Sequence, residues 1–235
     1  MHRAGGLAAS LCMALLLAAC SSPQRGPRGF HGVPLRPIAQ PGEVVAAELG
    51  FARAAREEGQ WSAFTAYAAQ DAIMFVPAPV KAQDWLKRQG NPARSIVWQP
   101  HHVWSSCDGS LAVTKGAQQQ PDGSVGYFTT IWERQEDGAY KWVLRQSDAL
   151  AAALEEPEMI GTDVADCPQT RARGPAILPP GPGPLPGPFE GQSVDGSLSW
   201  SAKVAPDKAR ELHVHIRQDG ELKEVLSSIV AAPAG

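Results

Sequence analysis

A strong excess of charge of either sign is missing from this 235-residue chain: 21 Lys and Arg stand against 24 Asp and Glu, a net charge of −3. That balance argues against a nucleic-acid binder with a broad basic face. Aromatic residues are scarce at 7%, charged residues make up only 19%, and there are four Cys. The apolar run near the start, Leu7–Ala19, has thirteen residues, too few to span a hydrocarbon core of ~30 Å as a helix. No Walker loop, Rossmann glycine pattern, H-E-x-x-H or G-x-S-x-G occurs, so no cofactor is expected. No C-x-x-C or His pair completes a metal site either. Breakers are abundant instead, with 23 Gly and 21 Pro, which excludes a coiled coil or helical repeat.

The short apolar run suits the core of an export signal. It follows Arg3 and ends in Leu17-Ala18-Ala19-Cys20. This ending resembles the bacterial lipoprotein lipobox, where cleavage precedes the Cys and the thiol takes a diacylglycerol. The resemblance implies a signal peptide at 1–19, lipidation of Cys20, and a membrane attachment through that lipid. Ser21 follows, where an Asp would resemble an inner-membrane retention signal. The expected address is therefore the periplasmic face of the outer membrane. Cys12 leaves with the signal and Cys20 is lipidated, so Cys107 and Cys167 remain. Two thiols in an oxidising compartment predict a disulfide.

Composition divides the mature chain. Residues 21–42 hold five Pro and four Gly without an apolar period, and 20–42 reads as the lipidated Cys plus a tether. Residues 174–188 pack seven Pro and four Gly into fifteen positions. The segment 168–188 is therefore a connector between a folded region at 43–167 and a β extension at 189–235.

Within 43–167, Val44, Ala47, Phe51 and Ala54/Ala55 recur at helical spacing, and Gly59 is a natural stop. Trp61, Phe64 and Ala68 mark a short second helix. Asp71-AIMFV-Pro77 reads as a strand, and Ala82–Gln89 as a third helix. Alternation over 95–104, 124–135 and 140–145 predicts strands of a half-covered antiparallel sheet. That pattern puts Trp104 on the face of Ile96 and Trp98, and Arg145 opposite Trp142 and Leu144. Asp-Gly occurs at 108–109, 122–123, 137–138, 195–196 and 219–220, a strong hairpin signal. Three further strands follow the connector, at 197–204, 211–217 and 222–230. Their apolar face must cover the main domain or a second copy of itself.

The order helix, short helix, strand, helix, then antiparallel strands resembles the NTF2-like superfamily. That superfamily includes ketosteroid isomerase, the SnoaL cyclases and the proteins grouped as DUF4440. FARAAREEGQWSAFTAYAAQDAIMFVP at 51–77 and GYFTTIWERQEDGAYKWVL at 126–144 carry the likeness. It implies an α+β fold, a cone of curved antiparallel sheet with N-terminal helices, plus here a C-terminal antiparallel β segment. It also implies a concave pocket and frequent homodimers through the sheet. The isomerase branch places a Tyr seven residues before the Gly and a general-base Asp before the Pro. With Gly59 and Pro77 as markers these positions hold Ala52 and Val76, and a second acid would fall near Trp132. None of these moves a proton.

The expected pocket candidates are Phe51, Trp61, Tyr67, Trp98, Trp104, Trp132 and Trp142. Asp71, His101 and His102 are the weak catalytic candidates. His213 and His215 share a strand face with Glu211 and Arg217, which reads as a solvated face rather than a metal pair. The leading expectation is an exported, non-catalytic protein of the periplasm that binds a small apolar molecule or serves as a scaffold. The alternatives are a SnoaL- or isomerase-type enzyme acting on a polycyclic or lipid-like substrate, and an assembly protein that dimerises through its β segment.

Overall fold

The computed structural model describes residues 39–168 and 189–232. The expected signal, Cys20 and most of the tether lie outside these residues, as does most of the connector. Helix α1 (Pro41–Glu57) starts on a proline, whose missing N–H costs nothing in the first turn. It starts two residues before Glu43. Gly59 ends it at a φ of 103°. Helix α2 (Gln60–Tyr67) is capped from a distance: Asn91 Oδ1 accepts the backbone N–H groups of Trp61 (2.7 Å) and Ser62 (3.2 Å). Then come β1 (Ala68–Phe75), β2 (Pro79–Lys81), α3 (Ala82–Leu86), β3 (Val97–Ser105), β4 (Leu111–Gln119), β5 (Val125–Arg134), β6 (Tyr140–Ala149) and β7 (Gly161–Val164). The C-terminal part supplies β8 (Phe189–Gln192), β9 (Leu198–Val204), β10 (Arg210–Gln218) and β11 (Glu221–Val230).

The first seven strands form one sheet in the order β2-β1-β6-β5-β4-β3-β7, and the last four form another in the order β11-β10-β9-β8. The chain is α+β, as expected, but the first sheet is mixed rather than wholly antiparallel. β1 runs parallel to β6, and β7 parallel to β3. Neither pair is joined by a hairpin, so no short turn forces them antiparallel. The three helices cover one face, burying Val44, Phe51, Phe64, Trp98, Phe128, Trp132 and Trp142. The second sheet covers the other face. There Ile73, Trp104, Leu111, Val113, Ile131 and Leu144 meet Leu198, Trp200, Leu212, Val214 and Ile216. The C-terminal strands thus share a core with the main sheet.

Two bulges decide which side chains face the helices. Between β3 and β4, Pro100 pairs with Gly116 and His102 with Lys115, leaving His101 as the extra residue. Between β5 and β6, Ile131 pairs with Leu144 and Trp132 with Trp142, leaving Val143 extra. Since side chains alternate, one added residue exchanges the faces beyond it. Trp98 therefore faces the helices, while Trp104 faces the second sheet. Gly116 lies opposite the first bulge, where a Cβ would run into the Gln99 carbonyl.

The two sheets also meet through two hairpin turns. In the β3–β4 turn, Asp108 Oδ1 accepts from Ser106 Oγ (2.7 Å), Ser110 N (2.9 Å) and Ser110 Oγ (2.8 Å). In the β8–β9 turn, Asp195 Oδ1 accepts from Ser193 Oγ (2.7 Å), Ser197 N (3.0 Å) and Ser197 Oγ (2.7 Å). The second carboxylate oxygens cross over. Asp195 Oδ2 accepts the Asp108 N–H (3.1 Å), and Asp108 Oδ2 accepts the Asp195 N–H (2.8 Å). The expected disulfide is present between Cys107 and Cys167, with Cα atoms 5.1 Å apart. It ties the segment after β7 to the first of these turns.

Candidate functional site

The concave side of the main sheet, under the helices, is where the resemblance implies a pocket. α1 turns Val44, Glu48, Phe51, Ala52 and Ala55 inward. Their spacing of three and four residues makes them one helical face. Glu48 is fully buried, and it carries a carboxylate into the middle of this interior. Burying an unpaired charge is prohibitive, so it must be met by partners. Oε1 accepts from Trp98 Nε1 (2.6 Å) and Arg145 NH1 (3.2 Å). Oε2 accepts from Thr114 Oγ1 and from Trp132 Nε1 (3.1 Å). Arg145 NH1 also donates to Thr130 Oγ1.

Arg145 reaches this place because of the bulge at Val143, which turns it to the side of Trp142. Its guanidinium carbon lies 4.4 Å from the ring centre of Phe128, 4.7 Å from Trp98, 5.3 Å from Phe51 and 5.5 Å from Phe64. NH2 has no hydrogen-bond acceptor, and the negative ring faces are what surround it. Burial pulls the guanidinium down from its ordinary pKa, while Glu48 acts in the opposite direction. The ensemble is a cation held in an aromatic box, with the cation supplied by the chain itself.

Glu48, Phe51, Thr114, Phe128, Trp132 and Trp142 have no solvent-accessible surface. A void that admitted water would expose them. This interior is therefore filled. Phe51, Trp98, Trp132 and Trp142, expected to line a pocket, are packed core. Trp98 and Trp132 spend their indole N–H groups on Glu48. Trp61 packs edge-on against Phe64 and Trp85 at the rim. Tyr67 lines an open groove of about 440 Å³ with Ala46, Ala47, Ala139, Tyr140 and Lys141. Trp104 belongs to the opposite face of the sheet and lines no part of the concave interior. Ala52, at the position that the resemblance assigns to the isomerase Tyr, is buried.

Of the weak catalytic candidates, Asp71 stands on β1, while His101 and His102 are neighbours on β3. His101 is the bulge residue. Its Nε2 is buried without a partner, and burial lowers its pKa while Glu156 acts against this. His102 has a carboxylate that its own neighbourhood in sequence does not contain: Nε2 lies 2.9 Å from Asp163 Oδ2 of β7. An oriented imidazole is half of a general-base arrangement. Its other nitrogen, Nδ1, lies where a Cβ on Gly161 would collide with it, and the ring packs on Trp104 at 4.3 Å. Asp71 stands close enough to Glu133 to help raise the latter's pKa to about 7, after burial. His213 and His215 both approach Glu224, at 2.8 Å and 3.8 Å. Among the described residues no group of His, Cys, Asp and Glu is arranged to hold a metal ion.

Sequence reasoning overlooked Glu48, Thr114, Thr130 and Arg145. Glu48 had a signal, since it lies four residues after Val44 and three before Phe51. Arg145 had none, because the bulge that turns it inward is set by the pairing of two strands.

No family model and no curated protein matches the chain. Among solved structures it is similar to a protein provisionally described as an aromatic ring hydroxylase, from Novosphingobium aromaticivorans. The identity is 12%, the TM-score 0.34, and the match covers 48% of this chain and 91% of that one. It is also similar to a protein provisionally described as a ketosteroid isomerase, from Parabacteroides distasonis. There the identity is 15%, the TM-score 0.37, and the coverage 49% and 97%. The element order of the folded chain, helix, short helix, strand, helix and then a run of strands, follows the one read from the sequence, and the chain is α+β.

Proposed function

We propose that this chain is a lipid-anchored scaffold domain of the bacterial envelope, with no catalytic role. One observation carries the reading: the concave interior is occupied by the Glu48–Arg145 pair and its aromatic box. A small-molecule site needs an open concavity with a few free polar groups. Here each Glu48 oxygen accepts two hydrogen bonds. The same observation weighs against an enzyme of the isomerase type, as do Ala52 and Val76. The lipid anchor on Cys20, the outer-membrane address and the periplasmic orientation rest on the lipobox-like Leu17-Ala18-Ala19-Cys20.

Native mass spectrometry of the full chain, extracted in detergent from its own host, tests both halves. The expected species begins at a diacylated Cys20 and retains no small molecule. A stoichiometric small molecule carried through extraction would overturn the scaffold reading. A mature chain that begins before Cys20, or carries no lipid, would overturn the anchor.

A further inference from the structure

The second sheet repeats the first. Ser106-Cys107-Asp108-Gly109-Ser110-Leu111 and Ser193-Val194-Asp195-Gly196-Ser197-Leu198 differ at one position of six. Each motif turns a strand pair, β3–β4 and β8–β9, with the same internal hydrogen bonds. Leu111 N donates to Ser106 Oγ (3.1 Å), and Leu198 N to Ser193 Oγ (3.0 Å). The correspondence continues through the next hairpin. Pro121-Asp122 answers to Pro206-Asp207, with Ser124 N on Asp122 Oδ1 (2.9 Å) and Ala209 N on Asp207 Oδ1 (3.0 Å). Gly123 and Lys208 occupy the same turn position with φ of 90° and 73°. It reaches the third hairpin as well. Arg134 N donates to Ser110 O (2.9 Å) and Arg217 N to Ser197 O (2.7 Å). Arg134 Nε donates to Gly138 O (3.2 Å) and Arg217 NH1 to Gly220 O (2.8 Å). The strand orders β6-β5-β4-β3 and β11-β10-β9-β8 coincide. A chance likeness of one turn does not extend over three successive hairpins.

The contact between the copies is reciprocal. Asp108 N donates to Asp195 and Asp195 N to Asp108. Cys107 N donates to Ser197 Oγ (2.8 Å), and Val194 N, at the position equivalent to Cys107, donates to Ser110 Oγ (3.0 Å), equivalent to Ser197. When residue i meets j and the equivalent of j meets the equivalent of i, the interface has the character of a two-fold subunit contact.

We infer that the outer face of β3–β6 is a self-association surface whose partner is another copy of the same four-stranded meander, and that β8–β11 is that copy, carried in the same chain. Among the described residues the C-terminal sheet has no helices of its own, and it needs none. Its one apolar face is spent on the main sheet, and its other face carries Ser199, Ser201, Lys203, His213 and His215. Homodimerisation through this face is thereby satisfied within one chain.

The test uses the full chain in detergent, with a site for a specific protease inserted between Pro180 and Gly181. The disulfide lies wholly before that point, so after cleavage only the sheet contact holds the pieces. Native mass spectrometry is expected to show a monomer before cleavage and a one-to-one complex after it. When the C-terminal piece is diluted away, the N-terminal piece is expected to form a homodimer. A folded, monomeric N-terminal piece would overturn the inference. If that piece aggregates, the cleaved complex itself decides. Asp108→Asn and Asp195→Asn must loosen it by similar factors, about tenfold each for a lost hydrogen bond to a charged group. The double change must cost less than the product. Effects that differ by tenfold or multiply fully would refute the reciprocal contact.

Discussion

Asp108 and Asp195, 87 positions apart, each accept the other's backbone N–H at Oδ2 while holding their own turn closed with three bonds to Oδ1. Both are buried. Each carboxylate is therefore at once a local turn former and a long-range clasp. Formation of one turn prepares the acceptor for the other, which couples the two sheets at the residues that begin them.

The buried ion pair is expected to behave as a unit. Glu48→Gln or Arg145→Met alone leaves a buried group without its partner and should cost about 3–5 kcal/mol in urea unfolding. Glu48→Leu combined with Arg145→Met should cost less than the sum, because no charge is then stranded. Additive losses would show that the two groups do not stabilise each other.

The disulfide closes a stretch with a sequence separation of 60. Replacing Cys107 and Cys167 together by Ala should lower unfolding free energy by about 4 kcal/mol in the chain-entropy description, less any strain relieved. Thermal melts with and without reductant should show the same drop in the parent chain and none in the double variant.

Glu133 should give the protein a pH-dependent stability. Burial first, and Asp71 second, raise its carboxyl from 4.5 to about 7. The folded chain therefore binds this proton more tightly than the unfolded chain. The contribution is full below about pH 4.5 and is lost as pH rises to about 7. Its size should be on the order of 1–2 kcal/mol after its partial exposure is discounted. Glu133→Gln should flatten the stability curve over that window, and an unchanged slope would assign the effect to another group.

Gly116→Ala tests the bulge. The added methyl would meet the Gln99 carbonyl and the Pro100 Cα, which are backbone and cannot swing away. A loss of about 2–4 kcal/mol is expected in denaturant unfolding. A neutral substitution would mean that β4 can move off β3 without penalty.

The elements with strong local signals were legible. α1 and α2 appear in periodicity, and Gly59 punctuates them. The Asp-Gly pairs drew the hairpins of both sheets, since a positive φ is a local demand. The strand β4 has less alternation, and the short strands β2, β7 and β8 are held by neighbours rather than by their own composition. The repeat SxDGSL was written in the sequence, but two short motifs acquire meaning only when the turns are seen to pair.

The sequence by itself determined the helices, the hairpins, the thiol pair and the absence of an acid at Ala52 and Val76, because each depends on residue type or near neighbours. The tertiary structure alone decided what fills the interior. One extra residue at Val143 turns Arg145 inward, and one at His101 turns Trp104 outward. Such a bulge is a property of two strands in register, and no single strand records it. The pairing of Asp108 with Asp195, of Glu48 with Arg145 and of His102 with Asp163 follows the same rule: a partner distant in sequence is chosen by packing.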